Sequence, residues 1–104
     1  MAQFDVYDNP VAAARSERPY VLELQSDLLS AMASTAVVPL VLPGLLPLRF
    51  ERLTPEIVVH GRPLRLSMPE VFSLPRRFLG AAVTNNAADR DAIIAAVDHL
   101  ILGI

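Results

Sequence analysis

The residues that could do acid–base or metal chemistry are few and far apart in this chain of 104 residues. There are two histidines, His60 and His99, and no cysteine, which excludes thiolate catalysis, disulfides and cysteine-ligated metal ions. Neither histidine has a serine, an acid or a second histidine at a spacing that defines a catalytic triad or a metal site. The common nucleotide-binding and zinc-protease motifs are missing from the sequence. We therefore expect no catalytic residue, no metal and no cofactor.

The charge and the apolar content favour protein partners. All nine basic residues are arginines, and eleven acidic residues leave a formal net charge of -2, so the chain has no general attraction to nucleic acid. Hydrophobic residues make up 53% of the sequence, above the roughly 45–50% apolar share of ordinary domains. A small monomer cannot bury all the apolar surface that this composition gives it, which predicts a homodimer.

No membrane-spanning or export segment is predicted. The most apolar run, residues 36–48, contains three prolines and is shorter than the about twenty residues that a membrane-spanning helix needs. The first residues lack the basic and apolar regions of a signal peptide. We expect a cytoplasmic protein that forms a single domain over residues 1–104.

The last segment is the clearest predicted element. Asn86 is suited to cap a helix over residues 87–102, and Gly103 is suited to end it. An advance of roughly 100° per residue gathers five apolar side chains on one face, which we expect to pack on the core: Ile93, Ile94, Val97, Leu100 and Ile101. Leu102 falls on the opposite face, beside Asp91, Ala95 and Asp98.

Leu102 is thus an apolar residue on the polar side of the predicted helix. It is followed by Gly103, Ile104 and the terminal carboxylate, and the last carbonyls of a helix have no partner within it. An apolar tip ringed by charged and hydrogen-bonding groups is typical of a small docking site for a protein partner. A dimer contact and a frayed helix end are the alternatives.

The rest of the chain is predicted to be rich in strands. Apolar patterns indicate strands in residues 3–8, 20–26, 35–42 and 56–67. Pro39 favours an edge position or a bulge for its strand, Gly61 is suited to the turn of a hairpin, and residues 70–74 are expected to form at most one helical turn. Five or six antiparallel strands before one helix predict an α+β domain built on a strongly bent sheet or small barrel.

These segments resemble, in order and spacing, the CcdB family of toxins from bacterial toxin–antitoxin modules. The likeness extends from residue 3 to residue 104 and is carried by QFDVYD, YVLELQSDLL, VVPLV, LTPEIVVHG, SLP and the terminal helix ending in Gly-Ile. The resemblance implies a strongly bent antiparallel sheet, an SH3-like barrel of the CcdB and MazF type, with a C-terminal helix. It also implies a two-fold homodimer.

The same resemblance implies a toxin that is not an enzyme. Known members poison DNA gyrase by binding its A subunit and trapping the cleaved DNA complex, and a largely disordered, CcdA-like antitoxin neutralises them. The gyrase contact carries over to Leu102, Gly103 and Ile104, and the antitoxin contact to Leu28, Leu29, Asp98 and Ile101. Leu102 stands where well-known members have a tryptophan that stacks on a gyrase arginine. Asp98 stands where they have a neutral amide, which implies a changed antitoxin specificity.

Two alternatives keep this fold but differ in function. In the first, the protein has another target or has lost its toxicity. In the second, it is an endoribonuclease of the MazF type, which needs a base and basic groups along a groove. The candidates for that chemistry are His60, Arg62, Arg65, Arg76 and Arg77.

Overall fold

The computed structural model describes residues 2–47 and 51–103. These residues form a nearly closed, barrel-like antiparallel sheet and a C-terminal helix, which confirms the predicted α+β class and the SH3-like barrel type. The elements are β1 (Asp5–Asp8), β2 (Tyr20–Glu23), β3 (Ser34–Val41), β4 (Glu56–Val59), β5 (Arg62–Leu66), β6 (Phe72–Pro75), β7 (Thr84–Asn85) and α1 (Arg90–Leu102). The strand order is β4-β5-β3-β2-β1-β7, and β6 pairs with β3.

The long strand β3 is the centre of the sheet. It pairs with β2 along one side, and on its other side with β6 through residues 34–37 and with β5 through Leu40 and Val41. Pro39 therefore lies in a central strand, and the expected edge position is wrong. β3 tolerates Pro39 because the Pro39 carbonyl points to the side of β5 and β6, where it accepts the N–H of Ser67. The N–H that proline lacks would point to the same side, in the gap between β6 and β5, so no ladder hydrogen bond is lost there.

The helix packs on the sheet through a face that matches the predicted one in part, because Ile93, Val97 and Leu100 lie on it as expected. The residues on this face are the fully buried Ile93 and Ala96 and the partly buried Val97 and Leu100. Their spacing of i, i+3, i+4 and i+7 is that of an amphipathic helix, and they pack on apolar side chains of β1 to β5. Ile94 and Ile101 are exposed, so their assignment to the core face is wrong.

The ends of the helical segment agree with the sequence in part. A 3-10 turn at Ala87–Asp89 precedes α1, so helical structure covers the predicted range. Gly103 ends α1 in the left-handed conformation, with φ 72°. The Asn86 side chain does not cap the helix; the Asn85 Oδ1 accepts the N–H of Ala87 instead, at 2.8 Å.

Within residues 2–47 and 51–103, no helix is long and apolar enough to cross a membrane.

Two other segments test the sequence patterns. The hairpin between β4 and β5 turns at His60 and Gly61, with φ of 50° and 76°, as in the two-residue turns that favour right-handed strand twist. The predicted hairpin is therefore confirmed. Residues 70–74, by contrast, were expected to be no more than a helical turn, yet most of them belong to β6, which pairs along residues 34–37 of β3. Tertiary pairing with β3 overrides the weak local pattern.

A bidentate ion pair between Arg18 and Glu70 joins the β1–β2 connection to the turn before β6. Arg18 donates through Nε and Nη2 to Oε2 and Oε1 of Glu70, at 2.7 and 2.8 Å. These hydrogen bonds hold the pKa of the Glu70 carboxyl below its ordinary value, although partial burial acts in the opposite direction. The side chains are 31% and 34% exposed, so solvent screens the pair.

Truncating two neighbouring isoleucines distinguishes the observed helix face from the expected one. Ile93→Ala should lower the free energy of unfolding by about 2–4 kcal/mol, because it leaves a cavity in the core. Ile94→Ala should cost less than about 1 kcal/mol, because its side chain already contacts solvent. Urea denaturation measures both values, and equal losses would contradict this packing.

The Arg18–Glu70 pair should make stability depend on pH on the acid side. Because the pKa of Glu70 is depressed in the folded state, the pair contributes fully above the ordinary value of 4.5 and stops contributing as the pH falls through the folded value. The stability gap between the unmodified protein and Arg18→Gln should therefore narrow as the pH falls below 4.5. Urea titrations across this range measure the gap. Arg62→Gln, at an exposed position of β5, is the control, and a gap for Arg18→Gln that stays constant would refute the assignment.

Candidate partner-binding surface

The last turn of α1 presents apolar and acidic side chains to solvent. Ile101 is 69% exposed, Leu102 is 65% exposed, and Asp98 is also exposed. Spacings of three and four residues make these side chains neighbours on the helix surface. Leu102 follows the buried Ile93 by nine residues, or about two and a half helical turns, and its exposure confirms that it points away from the core. We call Asp98, Ile101 and Leu102 the helix patch.

The residues after the helix complete the segment expected to contact gyrase. Gly103 is exposed and donates its N–H to the His99 carbonyl at 3.1 Å, which fixes the direction in which the chain leaves α1. Ile104, the third residue expected in that contact, lies outside the described residues. The structure thus places Leu102 and Gly103 at an open, conformationally defined helix end.

The β2–β3 loop, residues 24–33, carries a second exposed apolar group. A 3-10 turn at Asp27–Leu29 leaves Leu28 93% exposed and Leu29 45% exposed, and Met32 is 51% exposed. We call Leu28, Leu29 and Met32 the loop patch. Single exposed apolar residues are ordinary, whereas three within five positions make this loop a candidate interaction surface. The loop patch and the helix patch lie on different elements. Their relative position is therefore set by the tertiary structure and not by a sequence motif.

Side-chain hydrogen bonds give the β2–β3 loop a defined shape. The Ser26 hydroxyl accepts the N–H of Leu28 at 3.2 Å, and the Asp27 carboxylate accepts the N–H of Gln3 at 2.5 Å. The Gln25 amide bonds to the β3 backbone through both its oxygen and its nitrogen, at 3.3 Å each. Such side-chain to backbone bonds are what hold turn conformations in place.

A buried acid lies at the base of the same loop. The Glu23 Oε2 accepts from the Thr35 hydroxyl at 2.8 Å and from Arg76 Nη1 at 2.7 Å, and its Oε1 accepts from the Tyr7 hydroxyl at 3.1 Å. Burial raises the pKa of Tyr7, and the charge of Glu23 raises it further, so the phenol remains a hydrogen-bond donor at neutral pH. These bonds join β1, β2, β3 and the segment that follows β6.

Most of the side chains proposed for the ribonuclease alternative make hydrogen bonds within the domain. Arg65 is buried and donates to the carbonyl and hydroxyl of Thr54, and Arg76 is held by Glu23. A ring nitrogen of His60 lies 3.1 Å from the Val83 carbonyl. The remaining two candidates are exposed: Arg62 and Arg77. Among the described residues, no group of three or more histidines and acids is placed to hold a metal ion.

The family of the chain follows from comparison with known proteins. The model of the CcdB family, described as CcdB protein, matches residues 3–103. The chain belongs to the CcdB family, as the resemblance of its segments implied, and this membership implies the toxin of a toxin–antitoxin module. No match was found among the curated proteins.

Sequence reasoning missed two features of this surface. Met32 was not recognised as an exposed apolar residue beside Leu28 and Leu29. The bond between Glu23 and Arg76 was missed as well, because the two residues are 53 positions apart and no local pattern joins them. The one usable signal was the alternation of β2, which puts the acidic Glu23 on the same face as Val21.

Proposed function

We propose that this protein is a homodimeric toxin that acts in the cytoplasm by binding the A subunit of DNA gyrase and trapping the cleaved DNA complex. Its contact residues are Leu102, Gly103 and Ile104. Membership of the CcdB family supports the toxin class. The observation that carries the proposal is the 65% exposure of Leu102, because this large apolar side chain contributes little to the core. The protein acts by binding and not by catalysis.

The antitoxin contact lies beside the gyrase contact. We assign it to the loop residues Leu28 and Leu29 and to Asp98 and Ile101 of the helix patch. Asp98 and Leu102 are one helical turn apart, so an antitoxin seated on Asp98 and Ile101 also blocks access to Leu102. The Asp98 carboxylate selects a basic side chain in a CcdA-like antitoxin, because an opposite charge there is attracted and a like charge is repelled.

Replacing Leu102 by aspartate tests the gyrase contact. Leu102→Asp should leave folding and dimerisation intact, because the side chain is exposed, and should abolish growth inhibition when the protein is expressed in a bacterial host with a compatible gyrase. Ala95→Asp adds the same charge on the same helix face, two turns earlier, and is the matched control. Circular dichroism and sedimentation measure folding and dimerisation. An unfolded Leu102→Asp would mean that Leu102 belongs to the core.

Purified gyrase distinguishes this target from the alternatives. The unmodified protein should inhibit supercoiling and accumulate cleaved DNA, and Leu102→Asp should do neither. Full supercoiling without cleaved DNA at a large excess of the unmodified protein would contradict a gyrase target. Normal growth at good expression would favour a protein without toxicity. Cleavage of RNA that His60→Ala prevents would favour the endoribonuclease.

A leucine at the gyrase contact should bind less tightly than a tryptophan. Leucine buries apolar area but has no π-face for the guanidinium that the resemblance places opposite it. Leu102→Trp should therefore bind the gyrase A subunit about 5- to 30-fold more tightly, the equivalent of roughly 1–2 kcal/mol of cation–π attraction. Titration calorimetry measures the affinities, and Leu102→Met is the non-aromatic control. An equal gain for methionine would show that side-chain size, and not the aromatic ring, limits binding.

A further inference from the structure

Arg76 connects the two ends of the β2–β3 loop. Its Nη1 lies 2.7 Å from the carboxylate of Glu23, the last residue of β2. Its Nε donates to the Met32 carbonyl at 2.9 Å, and its backbone N–H donates to the Ala33 carbonyl at 2.8 Å. One residue from the segment after β6 therefore binds the chain where it enters the loop and where it returns to β3.

The ion pair in this connection is shielded from water, whereas the bond from Nε to the Met32 carbonyl lies at the surface. The side chains of Arg76 and Glu23 are 12% and 2% exposed, so the charge–charge attraction between them is screened less than at the surface. Thr35 and Tyr7 hold the Glu23 carboxylate from two further directions. The planar guanidinium presents its N–H groups in fixed directions, which makes Arg76 a rigid link between the buried acid and the loop backbone.

The loop that Arg76 holds carries the loop patch of Leu28, Leu29 and Met32. We propose that Arg76 is a positioning residue that fixes the β2–β3 loop in the shape in which this patch meets the CcdA-like antitoxin. A surface that is ordered before binding loses less conformational entropy in the complex. The partner contact itself rests on the function proposed above, whereas the ordering of the loop does not.

The conservative variant Arg76→Lys separates positioning from folding. A lysine keeps a positive charge for the buried Glu23, whereas an uncharged residue would leave a buried carboxylate without its ion pair and risk unfolding. Lysine has a methylene group where arginine has Nε, so it offers no donor there for the Met32 carbonyl. Arg77→Lys makes the same replacement at the adjacent exposed residue and is the matched control.

Hydrogen exchange of the loop amides reads out the positioning directly. The N–H groups of Leu28, Leu29, Ser30 and Met32 are all hydrogen-bonded within the loop, so their exchange reports its opening. Loss of one hydrogen bond should speed their exchange about 3- to 10-fold in Arg76→Lys, with the amides of α1 unchanged. Affinity for a synthetic peptide of a CcdA-like antitoxin should fall in the same variant, and Arg77→Lys should change neither quantity.

The two readouts separate this inference from the proposed function. Loop exchange in Arg76→Lys that equals that in Arg77→Lys would overturn the positioning role. Faster exchange with unchanged affinity for the antitoxin peptide would overturn the link between loop order and antitoxin binding. If the unmodified protein does not bind the antitoxin peptide at all, the proposed antitoxin contact is wrong, and the exchange rates alone decide whether Arg76 positions the loop.

Discussion

The buried carboxylate of Glu23 is the constraint on which the shape of the β2–β3 loop depends. A carboxylate that is 2% exposed is tolerated only when hydrogen bonds and an opposite charge replace its lost hydration. Tyr7, Thr35 and Arg76 supply them from β1, β3 and the segment after β6. The backbone of the same residue accepts the N–H of Phe4 at 2.7 Å. One charge therefore fixes how four parts of the chain meet at the base of the β2–β3 loop.

The exposure of the two patches follows from the packing of the core. The sheet and the buried face of α1 form the core, and this arrangement leaves the loop patch and the helix patch in solvent. An ordered backbone loses less conformational entropy when it binds a partner. Exposed apolar side chains add to the free energy of binding, because the contact removes their area from water. The described surface is thus suited to a protein that works by binding another protein, which agrees with membership of the CcdB family.

Much of the fold was predictable from periodicity, and the exceptions have physical causes. Large apolar residues alone suggested a helix face containing Ile94 and Ile101, but the small, fully buried Ala96 lies on the other side of Ile93 and shifts the buried face away from them. β6 forms because β3 supplies a partner, which its own sequence does not reveal. The exposed Leu102 was predictable because helix geometry alone places it. The Glu23–Arg76 pair was not, because only the folded topology brings the two residues together.

The most direct test is the backbone NMR spectrum of the isotope-labelled protein, recorded with increasing amounts of the purified gyrase A subunit. We expect the amide signals of Leu102 and Gly103 to shift or broaden first, with those of the β4–β5 hairpin at His60 and Gly61 unchanged. Adding the same amounts to Leu102→Asp should leave the spectrum as it is. Changes confined to the β4–β5 hairpin, or no change at saturating gyrase, would contradict the proposal that the end of α1 binds this target.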